Sequence, residues 1–275
     1  MIIDGKQIAS NIYEEIKKEV SGMKTKPTLG VILVGENSPS LRYINEKKKW
    51  AEYLGINFEL KIFKDNITEE EILSQIEYFN NNESISGYMV QLPLPNHINE
   101  KKLIASISPK KDVDGFHPEN VGKVLIGDTS GFVSCTPAGI MNIFKSIGEN
   151  LEGKVVTVIG KSNIVGKPLV ALLMNAGATV ISCNSKTKNT SEHTLRSDIV
   201  IVATGIPQLL KENMLKKGST IIDVGFTVID GKIHGDTDFE NIEKAGHTIT
   251  PVPGGVGALT VAMLMSNTLQ AEQLK

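Results

Sequence analysis

Apolar positions along the chain switch repeatedly between helical and strand periods. Ile8, Ile12, Ile16 and Val20 recur at helical spacing, and the apolar run 29–34, closed by Gly35, predicts a buried strand. A lysine-rich helical stretch follows. Phe58, Leu60 and Ile62 then alternate with polar residues as in a strand. Thr68 and Glu71 have the spacing of a capping box, opening a helix whose apolar face is Ile72, Leu73, Ile76 and Phe79. Residues 87–91 read as a strand stopped by Pro93 and Pro95. Around residue 120 the texture becomes that of a Gly, Asp, Ser and Thr-rich loop, followed by a helix over about 137–147. Beyond it, strands are predicted at 154–159, 178–182, 198–203, 219–224 and 247–250, with helices between most of them. Asp230-Gly231 predicts a hairpin turn between Thr227 and Ile233, and the last helix, over about 257–272, is placed to fold back on the first half. This repetition of βα units predicts an α/β fold of two domains with mainly parallel sheets. Right-handed crossovers then put functional sites at the carboxyl ends of strands.

Length and composition fit that organisation. A chain of 275 residues with 40% hydrophobic content has room for two domains with sizeable cores. Its 29 basic and 31 acidic residues leave a net charge of −2, so no global field recruits nucleic acid or an anionic membrane. The cluster Lys47-Lys48-Lys49 is too short for a nucleic-acid tail. Two cysteines, Cys135 and Cys183, are too few for a disulfide framework and lack redox or zinc spacing, which fits a reducing cytoplasm. Signal-peptide and membrane-spanning patterns are absent, as are histidine metal-ligand spacing and a G-x-S-x-G elbow. A protein with no metal, no membrane and no nucleic-acid partner is expected.

The chemistry-bearing stretch of the second half runs from Gly160 to Pro168, directly after the apolar run 155–159. A buried strand ending in a tight glycine turn that opens a helix can hold a dinucleotide pyrophosphate on backbone N–H groups. The string departs from G-x-G-x-x-G: Ser162 holds the middle position and Gly166 comes one residue late, so a structural strand-to-helix turn is the competing reading. After the next strand, Asn184-Ser185-Lys186-Thr187-Lys188 offers no carboxylate for a ribose 2′-OH. Together with Lys161 its donors suit a 2′-phosphate, favouring NADP over NAD, against the alternative of a solvated polar loop.

In the first half, Ser40, Tyr43 and Lys47 share one face if their segment is helical, and a lysine losing hydration there shifts its pKa toward proton transfer. The bland reading is a solvated charge. Gln91 ends a strand, either as simple termination or pointing into a crevice at the sheet edge. In Lys111-Asp112-Val113-Asp114-Gly115 the carboxylates are either turn-formers or acceptors for the paired N–H and NH₂ donors of a heterocycle. Pro253-Gly254-Gly255-Val256-Gly257 is either a linker or a place where backbone approaches a flat ligand closely.

Seven strings, Ser40-x-x-Tyr43-x-x-x-Lys47, Gln91 to Pro95, Lys111 to Gly115, Cys135-Thr136-Pro137, Gly160 to Pro168, Ile222 to Gly225 and Pro253 to Gly257, resemble in order and spacing the bifunctional methylenetetrahydrofolate dehydrogenase/cyclohydrolase family, over essentially the whole chain. The resemblance implies NADP-dependent oxidation of 5,10-methylenetetrahydrofolate to the methenyl form and its hydrolysis to 10-formyltetrahydrofolate. It implies a folate-binding catalytic domain over 1–120, completed by the C-terminal helix 255–275, and a Rossmann-type NADP-binding domain over 121–254, flanking a cleft. Lys47 then corresponds to the central catalytic lysine, Gln91 to the partner that tunes it, Tyr43 to the aromatic packing on the folate, and Asp114 to the residue gripping the pterin. Pro253, Gly254 and Gly255 would also touch substrate. Cys135, Thr136, Gly160, Lys161, Ser162, Val165, Gly166, Ser185, Ala203, Gly205 and Ile206 would line the cofactor. A cytoplasmic homodimer, joined through the nucleotide-binding domains, is implied as well. The chain departs from the family pattern at Lys161, where arginine is usual, at Asn184 for histidine, at Ser134 for proline, and at Ala258-Leu259 for Pro-Met. Lysine lacks the bidentate contact of arginine, so the first two departures bear on cofactor preference.

Overall fold

The structure, a computed structural model, describes residues 1–35 and 38–275, and for residues 38–40 the helical backbone alone. In chain order, α1 (Gly5–Gly22), β1 (Thr28–Val34), α2 (Ser38–Leu54), β2 (Asn57–Phe63), α3 (Glu69–Asn81), β3 (Gly87–Val90), α4 (Glu100–Ser106) and α5 (Pro118–Ile126) precede α6 (Cys135–Ser146). Then come β4 (Val155–Ile159), α7 (Gly166–Asn175), β5 (Thr179–Cys183), α8 (Thr190–Thr194), β6 (Ile199–Val202), β7 (Thr220–Asp223), β8 (Thr227–Ile229), β9 (Lys232–His234), α9 (Phe239–Lys244), β10 (Thr248–Ile249) and α10 (Val256–Gln273). The chain groups into two compact units.

One unit comprises Asn11–Lys123, Asp128–Cys135 and Val261–Lys275. Its sheet is parallel, in the order β2-β1-β3. Central β1 is buried along most of its length, which is why its sequence is an unbroken apolar run, while edge strand β2 alternates weakly and leaves Ile62 exposed. The expected capping box is present. Glu71 N–H donates to Thr68 Oγ1 and Thr68 N–H to Glu71 Oε2, and Ile72, Ile76 and Phe79 turn into a core with Ile32, Val34, Tyr88 and Val90. The chain leaves β1 toward β2 and returns to β3 on the other side, so the winding reverses beside the carboxyl end of β1.

The other unit comprises Met1–Ser10, Val124–Gly127 and Thr136–Thr260. Its parallel sheet runs β10-β7-β6-β4-β5, and the winding reverses beside β4. Asp230 and Gly231 take φ of 50° and 75° in the expected hairpin turn joining β8 to β9.

The loop expected around residue 120 is instead α5. Pro118 opens it without forfeiting a useful N–H, and His117 caps it, its Nδ1 accepting Glu119 N–H at 3.1 Å. Its inward face is short, made by half-buried Val121 and buried Val124; Gly122 interrupts it, and Leu125 and Ile126 stay exposed before the Gly, Asp, Thr and Ser residues of 127–131. Helix α4, which no pattern predicted, is capped by Asn99. Among the described residues no helix is long and apolar enough to cross a membrane.

Candidate active site

Lys47 and Gln91 converge from neighbouring parts of the first sheet. Helix α2 follows β1 and Gln91 follows β3, so both residues arrive where the winding reverses. Lys47 Nζ donates to Gln91 Oε1 at 2.7 Å and approaches Met89 Sδ at 3.3 Å. The Gln91 amide is oriented from its other side, because Nε2 donates to Leu92 O at 2.7 Å. Burial lowers the Lys47 pKa, opposed chiefly by the negative charge of Asp114 and further by Glu46. An amine held this way reaches its neutral, proton-accepting form more readily than a solvated lysine.

Asp114 sits on a loop that is fastened to β3. Tyr88 N–H donates to Lys111 O at 2.8 Å, and fully buried Asp112 accepts His117 N–H at 2.7 Å and Asn120 Nδ2 at 2.9 Å. Gly115 turns the loop at a φ of 73°, where a Cβ would stand 2.5 Å from Ser134 N. Ser134, found in place of the usual proline, donates its hydroxyl to Gly115 O at 2.9 Å and so ties the 133–135 segment to that turn. The two carboxylates of the string thus divide the labour: Asp112 builds the loop and Asp114 is left beside Lys47. Burial raises the Asp114 pKa to about 6, with Lys47 pulling it down, Asp112 pushing it up and a hydrogen bond from Cys135 pulling it down. Tyr43 is exposed one turn before Lys47, its hydroxyl pKa raised chiefly by burial of part of the ring. Ser40 falls outside the described side chains.

Cys135, expected among the cofactor residues, stands beside Lys47 and Asp114. It is buried, its Sγ lies 3.4 Å from Val113 O, and burial pushes its thiol well above the usual range. Sequence reading missed Asn267 of α10, whose buried amide donates to Val113 O at 2.8 Å and to Val133 O at 3.0 Å. It clamps the backbone on both sides of the Asp114–Cys135 pair, and no local pattern marks it.

The glycine turn lies in the other unit. Gly160 takes a φ of 135°, and a Cβ there would run into Ala203 O. A Cβ at Gly166 would stand 2.7 Å from the Gly160 carbonyl carbon, so only glycine lets α7 start this close to the end of β4. Ser162 Oγ accepts Val165 N–H at 3.1 Å and Gly166 N–H at 3.3 Å, satisfying orphan donors of the helix start in the manner of a cap. Lys161, Ser162 and Ser185 are exposed, and Asn184 Oδ1 accepts Lys186 N–H at 3.0 Å to fold the turn after β5. Ala203, Gly205 and Ile206 follow β6, directly across from Gly160. A narrow turn lined by glycine at the reversal point of a parallel sheet fits a dinucleotide pyrophosphate. Elsewhere in this unit Thr136 Oγ1 meets Thr260 Oγ1 at 3.0 Å, and Gly254, at a φ of 109°, follows Pro253 in the turn before α10. Gly255 packs on Thr250, where a Cβ would stand 2.8 Å from Thr250 Cβ. Leu259, departing from the family methionine, is fully buried against Gly139. Among the described residues no group of His, Cys, Asp and Glu is arranged to hold a metal ion.

Residues 3–114 match the catalytic domain of tetrahydrofolate dehydrogenase/cyclohydrolase, and residues 134–275 match its NAD(P)-binding domain. The chain belongs to this family. It is 50% identical to the bifunctional protein FolD of Bacillus pumilus, over 98% of this chain and 96% of that protein. The crystal structure of the bifunctional FolD methylenetetrahydrofolate dehydrogenase/cyclohydrolase from Campylobacter jejuni superposes with a TM-score of 0.98 at 45% identity, covering 100% of this chain and 99% of the other. The Trypanosoma brucei family member, solved with NADP cofactor and an inhibitor, gives 0.95 at 34% identity, covering 100% and 97%. Family membership makes the chain an enzyme with two α/β domains, one catalytic and one NAD(P)-binding.

Proposed function

We propose that this enzyme oxidises 5,10-methylenetetrahydrofolate to 5,10-methenyltetrahydrofolate with NADP and hydrolyses the product to 10-formyltetrahydrofolate. The observation that carries the reading is the Lys47 Nζ to Gln91 Oε1 hydrogen bond of 2.7 Å beside Asp114. In the hydrolytic step, water adds to the cationic methenyl carbon and sheds a proton, which Lys47 in its neutral form accepts while Gln91 holds its direction; the bond from that carbon to N5 then breaks, the hydroxyl proton is lost and N5 takes up a proton, leaving the formyl group on N10. Asp114, once ionised, accepts the adjacent ring N–H and amino donors of the pterin side by side. Tyr43 packs on the folate from the exposed flank of α2.

Gly160, Ser162, Val165 and Gly166 would cradle the pyrophosphate, Lys161 and Ser185 the 2′-phosphate, and Ala203, Gly205 and Ile206 the remaining half, with Thr136 and Cys135 completing the cofactor contacts. A nicotinamide dinucleotide held by these residues would supply the hydride acceptor, and the protein's own contribution is alignment. The absence of a carboxylate after β5 supports NADP over NAD. We place the enzyme in the cytoplasm as a homodimer joined through its nucleotide-binding units, consistent with its two unpaired cysteines.

A spectrophotometric assay of the purified protein with methylenetetrahydrofolate and each cofactor tests this, following reduced nicotinamide and methenyl product together. NADP-dependent reduction with transient methenyl product is expected. Absence of turnover with either cofactor would overturn the reading.

A further inference from the structure

Two buried aspartates in the nucleotide-binding unit lie outside the residues assigned so far. Asp223 ends β7 at 2% exposure and Asp236 follows β9 at 0%. Their carboxylates interlock with two glycines: a Cβ at Gly225 would run into Asp236 Oδ1, and one at Gly235 into Asp223 Oδ2. Asp223 Oδ1 accepts Gly225 N–H at 2.8 Å and Asp236 N–H at 2.9 Å, and its Oδ2 accepts Thr237 N–H at 2.9 Å and Thr237 Oγ1 at 2.6 Å. Asp236 is thereby fixed by its own backbone. Its Oδ2 in turn gathers the loop after β6, accepting Thr204 N–H at 2.6 Å, Thr204 Oγ1 at 2.8 Å and Gly205 N–H at 3.0 Å, while Ile206 N–H donates to Thr204 Oγ1 at 3.2 Å. Asp236 Oδ1 has no hydrogen-bond partner.

Burying two carboxylates is an expensive way to stabilise a core, since desolvation opposes it and a neutral packing solution is often as stable. The arrangement does something apolar packing cannot: one carboxylate oxygen gathers three donors of one loop at a single point. That loop abuts the glycine turn, since Ala203 O is the atom a Cβ at Gly160 would strike. Of the proposed 2′-phosphate donors Lys161 lies on the glycine turn itself and Ser185 follows β5, on the opposite side of β4 from β6, which leaves the β6 side for the nicotinamide half.

We infer that Asp236 is a positioning residue for the cofactor. It holds Thr204, Gly205 and Ile206 where the nicotinamide half of the dinucleotide must lie, and Asp223 holds Asp236. This rests on the proposed placement of NADP at Gly160. Methenyl hydrolysis needs no nicotinamide, so the two activities separate positioning from general stability. In Asp236→Ala, kcat/KM for NADP in the dehydrogenase reaction should fall about tenfold or more, the scale of a lost charge-assisted hydrogen bond, with methenyl hydrolysis held within about twofold. Asp236→Asn, which keeps an accepting oxygen, should recover part of the loss. If Asp236→Ala does not fold, Thr204→Val leaves Asp236 in place and should show the same split at a few-fold. Equal losses in both activities, or an unchanged dehydrogenase, would overturn the inference. A wild-type enzyme with no NADP-dependent oxidation would instead overturn the proposed function itself.

Discussion

The two candidate sites are built on opposite principles. Lys47, Gln91 and Asp114 are half-buried side chains brought together from distant segments, with Lys47 bonded to Gln91, Gln91 to the Leu92 carbonyl, and Asp114 to the Cys135 thiol beside Lys47. At the glycine turn the fixed parts are backbone, with Gly160 and Gly166 packed too closely for any side chain, while Lys161, Ser162 and Ser185 stand exposed. Proton transfer requires a few groups with shifted pKa at defined separations, which burial and mutual bonding supply. Holding a pyrophosphate requires N–H groups and close approach, which any residue with the right backbone supplies. The folate side should therefore fail one residue at a time, and the cofactor side mainly where a glycine is lost.

Lys47→Ala gives the largest expected effect. Methenyl hydrolysis should drop about 10²- to 10⁴-fold, the range for removing a positioned general base, while NADP binding measured by titration stays near wild type. Normal hydrolysis by this variant would break the assigned role.

Gly160→Ala is the mirror case. It forces a Cβ into the Ala203 carbonyl at a φ rarely adopted by other residues, so thermal unfolding should register a loss of about 1–3 kcal/mol and NADP-dependent oxidation should collapse. An alanine variant binding NADP normally would remove the reason for a glycine there.

Acidity sharpens the contrast next. Because burial raises the Asp114 pKa to about 6, the folded protein keeps that proton where the unfolded chain has already lost it. The stability associated with the protonated form is thus present at low pH and is lost as pH rises through about 6. Folate binding, which needs the carboxylate, runs the other way: KM for folate should rise as pH falls below about 6. Asp114→Asn should abolish that pH-dependent limb, and its persistence in the variant would reassign it to another group.

Smallest is Lys161→Ala. An exposed lysine facing a phosphate contributes modestly, so NADP affinity should fall about tenfold or less, with NAD little changed. Equal losses for both cofactors would show that Lys161 does not read the 2′-phosphate.

What could be read from the sequence follows the same divide. Buried strands β1 and β4, the Thr68–Glu71 capping box, the Asp230-Gly231 hairpin and the glycine turn are local patterns, and each was legible. Helix α5 was not, because its inward face is only Val121 and Val124, Gly122 interrupts it, and Leu125 and Ile126 face outward. Individual site residues such as Lys47 and Gln91 stood out only as candidates, and the resemblance rather than the spacing joined them. Their supports had no signal at all. Asn267 meets Val113 across 154 positions, and Asp236 meets Thr204 across 32; neither pairing leaves a trace in local composition.

The central claim is that hydrolysis belongs to the buried side-chain cluster and cofactor binding to the backbone turn, each separable from the other. Methenyl hydrolysis assayed without any nicotinamide cofactor, on Lys47→Ala and Gly160→Ala side by side, tests it most directly. The account predicts that the glycine variant hydrolyses methenyltetrahydrofolate at close to the wild-type rate and the lysine variant does not. Hydrolysis retained in Lys47→Ala, or lost equally in both, would contradict it.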